Sequence, residues 1–346
     1  KINNLMLEWL AMEFLGSHIL SIDQFERTDI EKIFTTSDSL VPYAKRERIT
    51  RVLQGAILSN MFFEPSTRTR ISFGSAFNIL GGEVRETTGI EATSLAKGES
   101  LYDTSRVLSG YSDIIVMRHH EAGSVNEFAD ASRVPVINGG DGDNEHPSQA
   151  LLDLYTIKKE LESKNKSIDG LRIALIGDLK YGRAVHSLCK VLCLYKNVTI
   201  NLISPKKLKL PSSIKETFKE SSVSFFETDD ITKGISEVDI IYMTRIQEER
   251  FSNKSESGKY KGLMSLNQEI YTKNCEPNTI IMHPLPRDSR PDANELDPDL
   301  NQNPNLAIYR QTDNGLLIRM ALFSLVLGVQ NKIEGSTSNV AWFSNK

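Results

Sequence analysis

Apolar and polar positions follow two rhythms along this chain, and the switch between them repeats. Ala56 to Phe63 is a mainly apolar run of strand length, broken at Glu64-Pro65; Ile71 to Leu80 then carries apolar residues at helical spacing and stops at Gly81-Gly82. Glu83 to Thr87 reads as the next strand. Beyond a polar stretch, Thr88 to Glu99, the pattern predicts a helix over Leu101 to Gly110, a strand over Asp113 to Arg118, a helix over Ser124 to Ala131 and a strand over Val134 to Asn138. A polar loop from Asp141 leads into a long helix through Glu162, apolar at Leu151, Leu152, Leu154, Tyr155 and Ile157. Ser163 to Gly170 resets the pattern. Strands follow at Leu171 to Gly177, Val198 to Ile203, Val223 to Glu227, Asp239 to Thr244 and Thr279 to His283, with an apolar helix over Ala184 to Leu194 and a last one over Asn314 to Leu327. Upstream, Leu5 to Leu20 reads as an amphipathic helix and Ile22 to Phe34 as a second, behind a Ser21/Asp23 start signal.

Strands that alternate with helices pair in parallel, so the fold class is α/β: two doubly wound domains, each a central parallel sheet flanked by helices, linked by interdomain helices. The boundaries are 1–150 and 151–310, with a C-terminal helix over 311–330 packing back on the first domain and a polar tail over 331–346, expected to be loosely ordered from Ser336 to Lys346. The turn after Gly177 lacks Gly-x-Gly-x-x-Gly spacing, so no dinucleotide fingerprint is met.

The 346 residues are 39% hydrophobic and 25% charged, enough for two real cores. A net charge of -4 argues against a general nucleic-acid or membrane-surface binder, so any cationic site must be local. Glu8, Glu13 and His18 interrupt the first apolar run, which therefore reads as neither signal peptide nor membrane span. Cys189, Cys193 and Cys275 are odd in number and lack metal-ligand spacing; they read as thiols of a reducing, cytoplasmic compartment, and no metal or cofactor is expected.

Candidate chemistry gathers where strands end. Pro65-Ser66-Thr67-Arg68-Thr69 puts backbone N–H groups, hydroxyls and a guanidinium at a helix start, which suits a phosphate. Other predicted strands lead to Arg118, to His146 and Gln149, to Arg183, to Arg245 and Gln247, and to His283-Pro284-Leu285-Pro286-Arg287, where the two prolines fix the backbone and allow a cis Leu285–Pro286 bond. Cations recurring in an acidic chain imply a multiply anionic substrate, or a pair of them. Singly, each residue has a plainer reading: Arg118 or Arg183 as a surface ion pair, His146 as a helix cap, the Pro284–Pro286 segment as a rigid turn, Lys97 as a solvated lysine.

Phe-Phe-Glu-Pro-Ser-Thr-Arg-Thr-Arg, Val-Met-Arg-His, His-Pro-Ser-Gln-Ala-Leu-Leu-Asp, Leu-Lys-Tyr-Gly-Arg, Tyr-Met-Thr-Arg-Ile-Gln-Glu-Glu-Arg and Met-His-Pro-Leu-Pro-Arg, in this order over roughly residues 17 to 330, resemble the motif series of the transcarbamoylases. His-Pro-Leu-Pro, Tyr-Met-Thr-Arg-x-Gln and the Lys97 loop resemble the aspartate carbamoyltransferases rather than the ornithine enzymes. The resemblance implies a carbamoyl-phosphate-binding first domain, an aspartate-binding second domain, transfer of the carbamoyl group to L-aspartate, and a homotrimer with shared sites. It implies that Ser66, Thr67, Arg68 and Thr69 hold phosphate, that Arg118 and His146 address the carbamoyl oxygen, and that Gln149 and the backbone of Pro284, Leu285 and Pro286 meet its amide. Arg183, Arg245 and Gln247 would hold aspartate, with Ser94 and Lys97 reaching in from a neighbouring subunit.

The Lys97 loop is one residue shorter than in some members, which leaves Thr93 beside Ser94 as the phosphate contact, and Phe251 to Leu266 is slightly long for a mobile loop of the second domain. Two rivals stand: a transcarbamoylase with another amine acceptor, and a non-catalytic phosphate-binding regulator. Association with regulatory or other chains is left open.

Overall fold

The computed structural model describes residues 12–90, 93–251, 258–288, 290 and 292–342. In chain order these form α1 (Arg27–Ser39), α2 (Val41–Ala44), β1 (Arg48–Thr50), β2 (Ile57–Phe62), α3 (Thr67–Ile79), β3 (Glu83–Thr88), α4 (Leu101–Leu108), β4 (Ile114–His119), α5 (Ser124–Ala131), β5 (Val136–Asp141) and α6 (Pro147–Glu162). The second half adds β6 (Arg172–Ile176), α7 (Arg183–Leu192), β7 (Thr199–Ile203), α8 (Ser212–Lys219), β8 (Ser224–Thr228), α9 (Ile231–Gly234), β9 (Ile240–Met243), α10 (Gln268–Asn274), β10 (Ile280–Met282), α11 (Ile308–Val326) and β11 (Thr337–Asn339).

Two parallel sheets result, ordered β3-β2-β4-β5 and β10-β9-β6-β7-β8. In the first, the chain leaves β2 toward β3 and returns on the other side as β4. In the second it leaves β6 toward β7 and β8 and returns as β9. Each sheet therefore reverses its winding once, between β2 and β4 and between β6 and β9, and there the carboxyl ends of the strands open a crevice. Gly177 shows how closely β6 and β9 approach: a Cβ on it would lie 2.2 Å from the Thr244 carbonyl oxygen, and its φ of +116° suits only glycine.

Helices α6 and α11 pack on each other, and α11 also meets α3 and α1. Phe323 of α11 stands edge-on to Phe73 and Phe77 of α3, ring centroids 5.9 and 5.0 Å apart. Leu58 and Ile114 of the first sheet and Ile173 and Leu175 of the second join one buried apolar cluster with α6 and α11, so the two sheets share a core.

Three sequence expectations give way. Residues 12–20, the described end of the helix expected over Leu5 to Leu20, turn at Gly16 and extend; Ile19 N–H donates to the Val136 carbonyl at 2.8 Å and adds to the free edge of β5, and edge hydrogen bonds outweigh a half-apolar helical pattern. The remainder of that expected helix lies outside the described residues. The helix expected over Ile22 to Phe34 divides, because Ser21 and Gln24 cap a 3-10 turn and Asp29 caps a new start at Arg27. The tail is not loose where it is described: Thr337–Asn339 pairs antiparallel with β1, and Ser336 and Thr337 hydrogen-bond Thr50 and Tyr43 at 2.6 and 2.7 Å.

Candidate active site

At the first switch point, Pro65 ends β2, because it donates no N–H and fixes φ. Ser66 then sits extended (φ -161°) as the N-cap of α3, with its hydroxyl making no capping bond. The helix starts at Thr67, a turn earlier than its apolar pattern implies, so the free N–H groups of its first turn lie next to the uncommitted Ser66 hydroxyl. A cavity of about 220 Å³ lies beside them, lined by Ser66, Thr67, Glu64, Arg70, Thr88 and Gly89 among others. Arg68 is exposed and Thr69 buried. Partial desolvation of its guanidinium among neighbouring groups, then the charge of Arg245, holds Arg68 below its ordinary range although the residue as a whole is exposed.

Glu64 is the centre of the crevice. Its Oε2 accepts from Arg118 Nη2 at 2.9 Å and Arg183 Nη2 at 3.1 Å, and its Oε1 from Arg250 Nη2 at 3.0 Å. Arg118 lies at the end of β4, Arg183 begins α7 and Arg250 follows β9, so one carboxylate from β2 gathers cations from both sheets. The Gly142 carbonyl also accepts from Arg183 and Arg250. Gly140, with φ +117°, lets the guanidinia close in, since a Cβ there would sit 3.2 Å from Arg118 Nη1. Burial, then Arg183, pulls Arg118 down to about 9, still a cation at neutral pH. Three arginines against one glutamate leave the crevice positive. Neither Glu64 nor Arg250 stood out in the sequence, although both lie inside quoted motifs; a carboxylate ending a buried strand amid cation-bearing strand ends was the available signal.

His146 is the N-cap of α6 but makes no side-chain capping bond, which removes its plainer reading. It is buried, its Nδ1 has no hydrogen-bond partner among the described residues, and the same holds for Arg118 Nε. Burial first, then Arg183, Arg118 and Arg319, push its pKa well below the usual value, so the ring is neutral and offers one N–H donor. Gln149 lies one turn into α6 and donates from Nε2 to Asp153 at 2.8 Å.

At the second switch point Asp178 accepts the backbone N–H of Tyr181 and of Gln247, each at 3.0 Å, tying the turn after β6 to the segment after β9. Arg245 pairs with Glu249 and donates to the Ile246 carbonyl at 3.0 Å. The strand end at His283 is rigid. Its Nδ1 accepts from the Leu285 N–H at 2.8 Å, so Nε2 carries the proton and donates to Glu295 at 2.8 Å, and Leu285–Pro286 is cis.

Ser94 and Lys97 do not join this group. They occupy an exposed 3-10 turn, Ser94 donating to Glu99 at 2.5 Å and Lys97 without an ion-pair partner among the described residues. Part of the loop expected over Phe251 to Leu266, residues 252–257, lies outside the described residues. Among the described residues no group of three or more His, Cys, Asp or Glu side chains stands where it could hold a metal ion.

Fixed donors at one switch point and fixed cations at the other, joined through one carboxylate, suit a reaction that aligns two anions and stabilises charge developing on a carbonyl oxygen. That is the class of a two-substrate α/β transferase. The chain belongs to the aspartate/ornithine carbamoyltransferase family: residues 17–159 match the model of the carbamoyl-P binding domain and residues 169–326 that of the Asp/Orn binding domain. It is 65% identical to the aspartate carbamoyltransferase catalytic subunit of Cellvibrio japonicus, covering 96% of this chain and 99% of that protein. The catalytic subunit of Saccharophagus degradans is 64% identical, over 97% and 99%. Among solved structures, aspartate transcarbamoylase of Trypanosoma cruzi in complex with N-(phosphonacetyl)-L-aspartic acid superposes with TM-score 0.83 at 35% identity, covering 93% and 99% of the two chains. The M. jannaschii catalytic subunit gives 0.80 at 41%, over 92% and 99%.

Proposed function

We propose that this chain transfers the carbamoyl group of carbamoyl phosphate to the amino group of L-aspartate, giving N-carbamoyl-L-aspartate and phosphate in de novo pyrimidine synthesis. The observation that carries the reading is the meeting of Arg118, Arg183 and Arg250 on Glu64, beside the uncapped start of α3. Its support from relatives is that the Trypanosoma cruzi enzyme has been solved with carbamoyl aspartate and phosphate bound.

In this reading the first domain, 1–150 with the helix over 311–330, takes carbamoyl phosphate, and 151–310 takes aspartate. Ser66, Thr67, Arg68 and Thr69 hold the phosphate. The amine nitrogen attacks the carbamoyl carbon, and the charge that builds on the oxygen is met by Thr69, Arg118 and the neutral N–H of His146. As the intermediate collapses, the carbon–oxygen bond to phosphate breaks and the departing phosphate takes the amine proton. Gln149 and the carbonyls of Pro284, Leu285 and Pro286 receive the carbamoyl –NH2. Arg183, Arg245 and Gln247 bind the aspartate carboxylates, and the charges of both substrates are offset before they approach. Ser94 or Thr93, with Lys97, completes the site of a neighbouring chain in a cytoplasmic homotrimer; their exposed turn supports that placement.

A colorimetric ureido assay with carbamoyl phosphate and either aspartate or ornithine tests the reading. Product from aspartate alone is expected. Product only from ornithine reassigns the acceptor, and none from either overturns the reading in favour of a non-catalytic protein.

A further inference from the structure

Behind the carbamoyl site lies a buried carboxylate that the proposed reaction does not use. Asp153, fully buried on α6, receives three hydrogen bonds: Gln149 Nε2 and Gln311 Nε2 donate to its Oδ1 at 2.8 and 2.6 Å, and the Tyr242 hydroxyl donates to its Oδ2 at 2.6 Å. The donors come from three different elements, α6, α11 and β9. Arg319 acts on Asp153 only through space; its Nη1 donates to the Ser72 hydroxyl at 2.9 Å.

The chemistry of an amide makes this arrangement directional. A glutamine has one end that donates and one that accepts, and a carboxylate oxygen accepts only. Because Asp153 Oδ1 takes the –NH2 of Gln149, the Oε1 of that amide is turned the other way, and it receives no hydrogen bond from the described residues. The same oxygen takes the –NH2 of Gln311, which turns Gln311 Oε1 toward the backbone N–H of His283 at 3.0 Å. His283 is the residue whose imidazole holds the Leu285 N–H and so fixes the Pro284–Leu285–Pro286 segment. One carboxylate thus sets two amide orientations, and both lead to acceptors.

We propose that Asp153 is the positioning residue through which the site selects a carbamoyl group over an acyl group of the same shape. It presents Gln149 Oε1 and, through Gln311 and His283, the Pro284–Pro286 carbonyls as acceptors for a planar –NH2. An acetyl group places a methyl where the carbamoyl group has that –NH2. It donates nothing, so the oriented acceptors are left unpaired against it, which is the stronger form of discrimination available to a polar site. Without Asp153 the Gln149 amide is free to turn its own –NH2 outward, and the preference falls. The inference rests on carbamoyl phosphate being the substrate.

The test compares dissociation constants for carbamoyl phosphate and acetyl phosphate, measured by calorimetry on the full-length protein, in wild type and in Asp153→Leu, Asp153→Ser and Asp153→Asn. Wild type is first assayed for ureido product. The ratio of the two constants is expected to shrink about tenfold in the leucine and serine variants, through weaker carbamoyl phosphate binding with acetyl phosphate affinity kept. The asparagine variant is expected to restore the ratio, because its Oδ1 still accepts from both glutamines while the Tyr242 hydroxyl turns to accept from its Nδ2. If the leucine variant does not fold, the serine variant, which leaves room for water, carries the measurement. Equal weakening of both ligands with a lower Tm would overturn the inference and leave Asp153 a structural residue. Absence of ureido product from wild type would overturn the reading of the substrate itself, a result distinct from an unchanged ratio in an active enzyme.

Discussion

At the scale of single residues, the site depends on which groups keep or lose their charge. Arg118 stays cationic although burial lowers it, and its Nε is unpaired among the described residues, which supports its proposed role as a donor to a developing oxyanion. Arg118→Ala is expected to lower kcat by about 100- to 1000-fold with intact folding, as loss of a fixed oxyanion donor does, measured by steady-state kinetics. His146 works in the opposite sense. Its pKa is held well below 6.5, so no proton is gained as pH falls from 8 to 6. A His146→Asn enzyme should therefore be slower but keep the wild-type shape of its pH–rate profile across that window; a lost acid limb would show that His146 titrates there. The sequence named Arg118 and His146 from their strand-end positions. It was silent on Glu64, because a carboxylate acquires its meaning here only from the three guanidinia brought to it from other elements.

At the scale of elements, α6 carries the contrast between what a pattern tells and what packing adds. Its apolar positions were legible as a buried helix, and His146 and Gln149 as its polar start. Asp153 was not, since an aspartate one turn further along reads as an ordinary solvated residue until β9 and α11 close over it. That closure pushes its pKa up to about 7, burial being the largest cause, opposed by the bonds from Tyr242, Gln311 and Gln149. The folded pKa lies above the unfolded one, so the folded protein binds the extra proton at this group, and the contribution of Asp153 to stability falls as pH rises from about 4 to about 7 and is level beyond. Asp153→Asn cannot titrate. Its Tm relative to wild type is expected to rise between pH 5 and pH 8, by the equivalent of a few kcal/mol, in thermal melts at the two pH values. A difference that does not change with pH would show that Asp153 is ionised at both.

At the scale of the molecule, the two sheets share an apolar core and a polar clasp. The clasp is Glu64, half-buried in the crevice beside a solvent-accessible cavity, so it should respond to mutation and to anions alike. Glu64→Gln leaves three guanidinia facing one another without a counter-charge, and Tm is expected to drop by several degrees; added phosphate should recover part of the loss by supplying the missing negative charge. Failure of phosphate to raise Tm would mean that the cations no longer converge. The exposed turn of Ser94 to Lys97 carries the other prediction at this scale, the proposed completion of the site by a second chain. Sizing should give three times the 38.8 kDa of one chain. Subunits of the individually inactive Arg68→Ala and Lys97→Ala enzymes, exchanged in one pot, should recover activity, because some sites then combine one intact residue from each chain. No recovery in verified mixed trimers would place Lys97 in its own chain's site.

The order of strands and helices, the α/β class and the residues at the strand ends were determined by the sequence itself, for local reasons: periodicity, Gly and Pro punctuation, and the habit of parallel sheets to bind at their carboxyl ends. Where a competing partner lay far along the chain, local signals failed. Residues 12–20 followed the free edge of β5 instead of a helical pattern, and Thr337–Asn339 followed β1 instead of the looseness of a polar tail. Tertiary structure alone decided that Glu64 would gather three arginines and that Asp153 would orient two glutamines, because each needs at least one partner more than a hundred positions away to meet it out of water, where one unpaired charge or donor outweighs any local preference.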